Sequence, residues 1–283
     1  MFHVSPLGSQ HSNPTKRKVL SEIGKLFDPL GFLGPIVTLA KLTMQDLWRL
    51  QLEWDDELPG EQLTMWLTFR EQLVSVRNIR KRRCIIPFDA HRVELHGFCD
   101  ASRRAYGACL YVRSVTADGS VIIRLVCRKS RIAPLKPVTI SRLELCGARI
   151  LAQLTQKTVQ ALKMNFDSIT LWTDSQIVLS WLKKSPMSLN EFVRNRVTCI
   201  LELTQNYQWQ YVKSENNPAD ALSRGQFPEQ LLTNQLWWSG SPELCNLGTP
   251  KLYTVKILAD EDLPEMQVTK SVLAAVQQEP PFT

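Results

Sequence analysis

Val93-Glu94-Leu95-His96-Gly97-Phe98-Cys99-Asp100 has the period-2 character of a strand and ends on an acid. Tyr106 to Val112 repeats the pattern after a short turn at Arg103-Arg104, and Val121 to Cys127 completes an antiparallel meander. Downstream the signal changes. Thr139 to Lys163 is helical, with Leu143, Gly147, Ile150, Leu151, Leu154 and Leu162 along one face. Ile169 to Thr173 reads as a short buried strand, and Ser175 to Lys184 and Leu189 to Thr204 read as helices. Tyr207 to Lys213 is a further strand, and a last helix opens at Asn217-Pro218. The order βββαβααβα specifies an α/β fold, a mixed five-stranded sheet with strands 1 to 3 antiparallel and helices on both faces.

Outward from this block, residues 1–15 are expected to be disordered, and 16–90 to form a small helical segment. Val19, Leu20, Ile23, Leu26 and Phe27 keep helical spacing up to a turn at Asp28-Pro29-Leu30-Gly31. Helices over Ile36 to Trp54 and Glu61 to Val76 follow, then the basic run Arg77-Asn78-Ile79-Arg80-Lys81-Arg82-Arg83. The sheet block spans 91–225. Residues 226–283 are expected to be a linker and an acidic tail, mobile from about Asp260.

Composition narrows the class. Hydrophobic content of 44% and charge of 22% are ordinary for a globular protein. No run of about 18 apolar residues suggests a spanning helix, and the first residues carry no signal-peptide pattern. An intracellular protein, cytoplasmic or nuclear and without a membrane partner, is therefore expected. Seven cysteines, an odd number with no CxxC pair, point to free thiols rather than disulfides or zinc. From Arg92 to Arg224 there are 19 Lys and Arg against 10 Asp and Glu, a net of +9, whereas the whole chain carries +7. A basic surface around a few acids suits a polyanion held against metal ions.

Four of those acids stand at element boundaries: Asp100, Glu144, Asp174 and Asp220. Each has an ordinary explanation. Asp100 could form a turn, Glu144 could close a capping box with Ser141, Asp174 could cap the next helix, and Asp220 could be a first-turn acid. Four such coincidences in one basic α/β block are improbable together. Several of these acids sit among apolar neighbours, where an unpaired carboxylate is costly and a divalent cation would relieve it. The four carboxylates are expected to converge in one metal-sized cluster.

Phe98-Cys99-Asp100-Ala101-Ser102, Leu143-Glu144-Leu145, Thr173-Asp174-Ser175-Gln176 and Asn217-Pro218-Ala219-Asp220 together resemble the four motifs of ribonuclease H, in that family's order. The likeness is to the BEL/Pao-type LTR retrotransposon polyproteins, from Lys16 to Pro242. It takes in Leu26-Phe27-Asp28-Pro29-Leu30-Gly31, which there follows the polymerase site, as well as Asn195-Arg196-Val197 and Trp237-Trp238.

The resemblance implies an RNase H-like fold preceded by a reverse-transcriptase thumb or connection segment. It implies Mg²⁺-dependent endonucleolytic cleavage of the RNA strand of RNA:DNA hybrids, leaving 5′-phosphate and 3′-hydroxyl ends. Asp100, Glu144, Asp174 and Asp220 would be the catalytic residues and ligands of two Mg²⁺ ions about 3.5–4 Å apart, with Mn²⁺ as a substitute. Gln176 and Asn216 match positions that approach substrate. Arg80, Lys81, Arg82 and Arg83 are further candidates for phosphate contact, and a polymerase domain is a candidate partner. RNA would be distinguished by its 2′-hydroxyl.

The chain departs from the cellular enzymes in having no histidine between Asp174 and Asp220, where a mobile one is thought to help product release. It also has no Tyr-x-Asp-Asp and so is not itself a polymerase. Two other readings stand beside the nuclease. One is a catalytically weak or domesticated nucleic-acid-binding remnant. The other is the aspartic peptidase of a Pao-type polyprotein, which needs Asp-Ser/Thr-Gly; here the only Asp-Gly is Asp118-Gly119.

Overall fold

The computed structural model describes residues 13–82, 84–246, 253, 255 and 257–267. The meander forms as β1 (Ala90–Ala101), β2 (Ala105–Thr116) and β3 (Val121–Ile132), followed by α4 (Ile140–Leu162), β4 (Ser168–Thr173), α5 (Gln176–Leu182), α6 (Glu191–Leu203), β5 (Gln208–Tyr211) and α7 (Asp220–Arg224). Upstream lie α1 (Lys16–Gly24), α2 (Gly34–Arg49) and α3 (Gly60–Gln72); downstream, α8 (Pro228–Thr233) and α9 (Gln235–Ser239). The sheet order is β3-β2-β1-β4-β5, antiparallel through β1 and parallel from β1 to β4 and β5. This is the mixed α/β sheet that the sequence pattern specifies. Asp118-Gly119 is the β2–β3 turn, where the Asp118 carboxylate accepts from the hydroxyls of Thr116 and Ser120.

Strand alternation sends two sets of side chains to opposite faces. Leu95, Cys99, Leu110, Val112 and Leu171 pack beneath α4 and α6, against Leu151, Val193, Val197 and Ile200. Gly97 is required there. A Cβ would come within 2.5 Å of Leu151 Cδ1, so only glycine lets α4 sit this close to β1.

The opposite face carries Phe98, Tyr111, Leu125 and Trp172, with Phe98 stacked on Trp172 at 5.9 Å between centroids. It is covered by both flanks of the chain. α2 packs on β3 and α7, and the turn at Asp28 to Gly31 docks on Arg128 of β3, whose Nε donates to the Gly31 carbonyl at 2.9 Å. From the other end, Trp237 is fully buried, its indole donating to the Phe32 carbonyl at 3.0 Å and its carbonyl accepting from Tyr111 at 2.7 Å. Beneath them is a buried ion pair, Arg113 to Glu94 at 2.8 Å. The Arg113 guanidinium also donates to the carbonyls of Leu244 and Asn246. Burial is the largest influence on the Glu94 carboxyl and would raise its pKa, but His96, Arg113 and Arg92 outweigh it and hold it down to about 2.

Two expectations need correction. Residues 226–246 are no linker, because Phe227, Leu231, Trp237 and Leu244 have the apolar area to complete the second face. The acidic stretch from Asp260 is packed as far as it is described. Leu263 is buried, Leu189 and Met266 form an isolated bridge, and Glu265 pairs with Arg142 at 2.7 Å. Of the stretch expected to be disordered, residues 1–12 lie outside the described residues. Thr15 is already engaged, its hydroxyl capping α1 by accepting from the Lys18 amide. All seven cysteines are free. Among the described residues no helix is long and apolar enough to cross a membrane.

Candidate active site

β1 and β4 run parallel with Cys99 opposite Thr173, so Asp100 and Asp174 follow side by side at the carboxyl ends of neighbouring strands. α4 crosses the same end. A Cβ on Gly147 would stand 3.1 Å from the Asp100 carbonyl, and this close approach brings Glu144, one turn earlier, to the strand ends. α7 is held in place by two ties. The buried Asn217 donates from Nδ2 to the Cys99 carbonyl at 3.0 Å, and Ser102 Oγ donates to the Ser223 carbonyl at 2.6 Å. Asn217 also organises its own loop, its Oδ1 accepting from the Ala219 amide at 3.1 Å and its carbonyl from the Asp220 amide at 3.1 Å.

Asp100 lies within β1, and the turn after it is built by Ser102. The N-cap of α4 is Thr139, so Ser141 and Glu144 form no capping box; Glu144 instead accepts from Ser175 Oγ at 2.6 Å. The cap of α5 is Ser175, not Asp174, which accepts from Ser214 Oγ at 2.7 Å. Only Asp220 keeps its ordinary role, as the first-turn acid of α7 paired with Arg224 at 2.6 Å.

Burial and mutual repulsion dominate the electrostatics. Burial, then the charges of Asp174 and Asp220, push the Asp100 carboxyl up to about 7. Burial also raises Glu144, with Asp174 adding to it against the Ser175 hydrogen bond. Asp174 is raised by burial and by Asp220, opposed by hydrogen bonds from Ser214 and Asn217. The resident cation is Arg224, whose own pKa is raised by Asp220 first and by Asp100 and Asp174 beyond it.

The expectation of one metal-sized cluster is corrected in part. The acids lie within electrostatic reach of one another, yet among the described residues no three or more His, Cys, Asp or Glu are gathered to hold a metal ion. Three of the four carboxylates have turned to another partner: Glu144 to Ser175, Asp174 to Ser214 and Asp220 to Arg224. The donors nevertheless fit a hard divalent cation chemically. They are all oxygen, and Asp100, Glu144 and Asp174 are largely buried and destabilised by the repulsion that such an ion relieves.

The other predicted residues are dispersed. Gln176 is exposed at the start of α5, beside Asp174. Asn216 is turned away, its Nδ2 donating to Glu243 at 2.8 Å. Arg80, Lys81 and Arg82 line a groove with Arg124 and Trp238 over the outer strand β3, and Lys81 Nζ stands 3.9 Å above the Trp238 ring. Arg124 is level, through Val112, with Leu95 of β1. At ~3.3 Å per residue that places the groove roughly 17 Å along β1 from Asp100, and two strands across. Arg83 lies outside the described residues. Sequence reasoning missed Asn217, Ser175, Ser214 and Arg224. Asn-Pro three residues before an acid was the one available signal, and it read as a helix start.

The model of the Pao retrotransposon-like RNaseH-like domain family matches residues 15–175, a span that takes in α1 to α3 and ends before Asp220. No curated protein matches the chain. Among solved structures, RNase H1 from Halobacterium salinarum NRC-1 is similar at 21% identity, over 46% of this chain and 93% of that one, with a TM-score of 0.30. LC11-RNase H1 in complex with RNA/DNA hybrid shows 13% identity over 50% of this chain and 99% of that one, with a TM-score of 0.32. The foamy viral protease-reverse transcriptase in complex with RNA/DNA hybrid shows 9% identity over 62% of this chain, with a TM-score of 0.30; the match spans only 27% of that protein.

Proposed function

The chain belongs to the Pao retrotransposon-like RNaseH-like domain family, and we propose that it is a divalent-cation-dependent ribonuclease H that cuts the RNA strand of RNA:DNA hybrids. The observation that carries this reading is the pairing of Asp100 and Asp174 at adjacent parallel strand ends, with Asp220 docked beside them through Asn217. Glu144 completes the set from α4.

Asp100, Glu144, Asp174 and Asp220 would hold Mg²⁺. Bound there, the ions supply a more acidic attacking water and offset charge on the leaving oxygen. The chain's own residues do the rest. Ser175 and Ser214 orient Glu144 and Asp174 by hydrogen bonds. Asp100, near half-protonation at neutral pH, loses its proton as it takes up a ligand's role. Arg224 pairs with one oxygen of Asp220 and leaves the other to serve as a ligand. Gln176, exposed next to Asp174, would meet the substrate strand.

The Asp220–Arg224 pair favours a second reading, a nucleic-acid-binding remnant whose acids no longer turn over substrate. Incubating the purified chain with an end-labelled hybrid, with and without Mg²⁺, separates the two. Cleavage confined to the RNA strand and dependent on the ion supports the nuclease; binding without cleavage supports the remnant.

A further inference from the structure

Between β2, β3, α4 and α6 lies a cavity of about 140 Å³ lined by Tyr106, Arg131, Cys146, Arg149, Gln153 and Arg196. Its construction follows from local structure. Cys146, Arg149 and Gln153 fall at i, i+3 and i+7 of α4 and share one face, roughly opposite Glu144 around the helix axis. Tyr106 and Arg131 are cross-strand partners and project to the same side of the sheet. Arg196 arrives from α6 already fixed, lying 3.5 Å over the Phe192 ring and donating from Nη1 to the Phe192 carbonyl at 2.9 Å.

Three guanidinium groups, the exposed Arg131 and the half-buried Arg149 and Arg196, thus share one small open pocket, and no carboxylate lines it. The Nε atoms of Arg149 and Arg196 are buried with no acceptor. Buried, unsatisfied donors on charged groups are costly, and three like charges in one cavity repel. A single anion with several acceptor oxygens answers both problems. A carboxylate brings two oxygens and one charge, whereas a phosphate group matches three planar forks in oxygen number and charge. At ~30 Å³ per water the cavity holds roughly four or five water volumes, room for a phosphate group but not for a whole nucleotide.

We propose that this pocket binds a phosphate-class anion through Arg131, Arg149 and Arg196. Tyr106 pairs with Ala101, the residue after Asp100, so the pocket lies at the active end of the sheet, behind α4. The phosphate can therefore come from a bound nucleic-acid backbone or from free solution.

Cys146 lines the pocket and reports on its occupancy. The test is alkylation of the full chain by iodoacetamide, resolved by site, in inorganic phosphate against chloride at matched ionic strength. A second arm uses a saturating RNA:DNA hybrid in chloride. Phosphate is expected to slow Cys146 labelling several-fold while the exposed Cys84 and Cys245 react unchanged. The double variant Arg149→Gln/Arg196→Gln is expected to lose that protection with a melting temperature in chloride that is unchanged or higher. Protection by the hybrid, with a salt slope of binding lowered by about one in the variant, assigns the site to a backbone phosphate. Protection by inorganic phosphate alone assigns it to a free anion. Equal labelling of Cys146 with and without both anions, or equal protection in a folded variant, overturns the proposal. If the variant melts early, the labelling of the native chain decides. Neither arm requires cleavage, so the outcome is independent of the function assigned to the four acids.

Discussion

Asn217 donates from Nδ2 to the Cys99 carbonyl at 3.0 Å, from a side chain wholly shielded from solvent. This one bond joins the loop that presents Asp220 to the residue preceding Asp100. Asn217→Ala removes the donor and leaves a buried carbonyl unpaired, at a cost of about 1–3 kcal/mol. If the bond positions Asp220, kcat on a labelled hybrid should fall well beyond that loss of stability, measured by denaturant unfolding. A lower midpoint with unchanged kcat would make Asn217 a structural tie only.

The pH dependence follows from Asp100. Its folded pKa of about 7 lies above the ordinary carboxylate value, so the folded state binds the extra proton and metal-free stability falls as pH rises from about 4 to 7. Asp100→Asn should flatten that decline and raise the melting temperature at pH 8, by about 2–4 °C per kcal/mol recovered. Mg²⁺ should raise the melting temperature of the native chain at pH 8 and that of the variant much less. Equal shifts in both would mean that the ion binds elsewhere.

The sheet block should not stand alone. Residues 91–225 expressed without their flanks would expose Phe98, Tyr111, Leu125 and Trp172, which the flanks now bury. At about 1.5–3 kcal/mol for each large apolar side chain, the loss approaches the whole stability of a domain. Such a fragment is expected to bind a hydrophobic dye and to melt without cooperativity. A sharp transition near that of the full chain would show that the helical flanks are accessory.

That dependence marks where the sequence was legible and where it was not. Strand alternation in Val93 to Asp100 and the helical stripe through Leu143 and Leu151 are local signals, and both elements form where they point. The four acids were legible because they recur near element boundaries in one basic block, three of them among apolar neighbours. Residues 226–246 were misread because Trp237 and Leu244 bury against partners some 100 to 200 residues away, such as Phe32 and Arg113. Asn217 was passed over for the same reason, since its acceptor on Cys99 lies 118 residues earlier.

The groove over β3 allows a separate test of substrate reach. Neutralising Arg80 and Arg82 while keeping Lys81, which packs on Trp238, should lower the slope of log K against log salt by about two if both contact phosphates. Cleavage at saturating hybrid should be unaffected. An unchanged slope would make the run a solvated loop.

The most direct test of the central claim is hybrid cleavage by Asp174→Asn. The substitution preserves shape and can keep the contact with Ser214, but removes a charge that a cation needs and that Asp100 is repelled by. Mg²⁺-dependent cleavage should be abolished while the metal-free chain melts at the same temperature or slightly higher. A variant that cuts the hybrid normally and melts much earlier would show that Asp174 is structural, and the four acids would lose their place as a catalytic site.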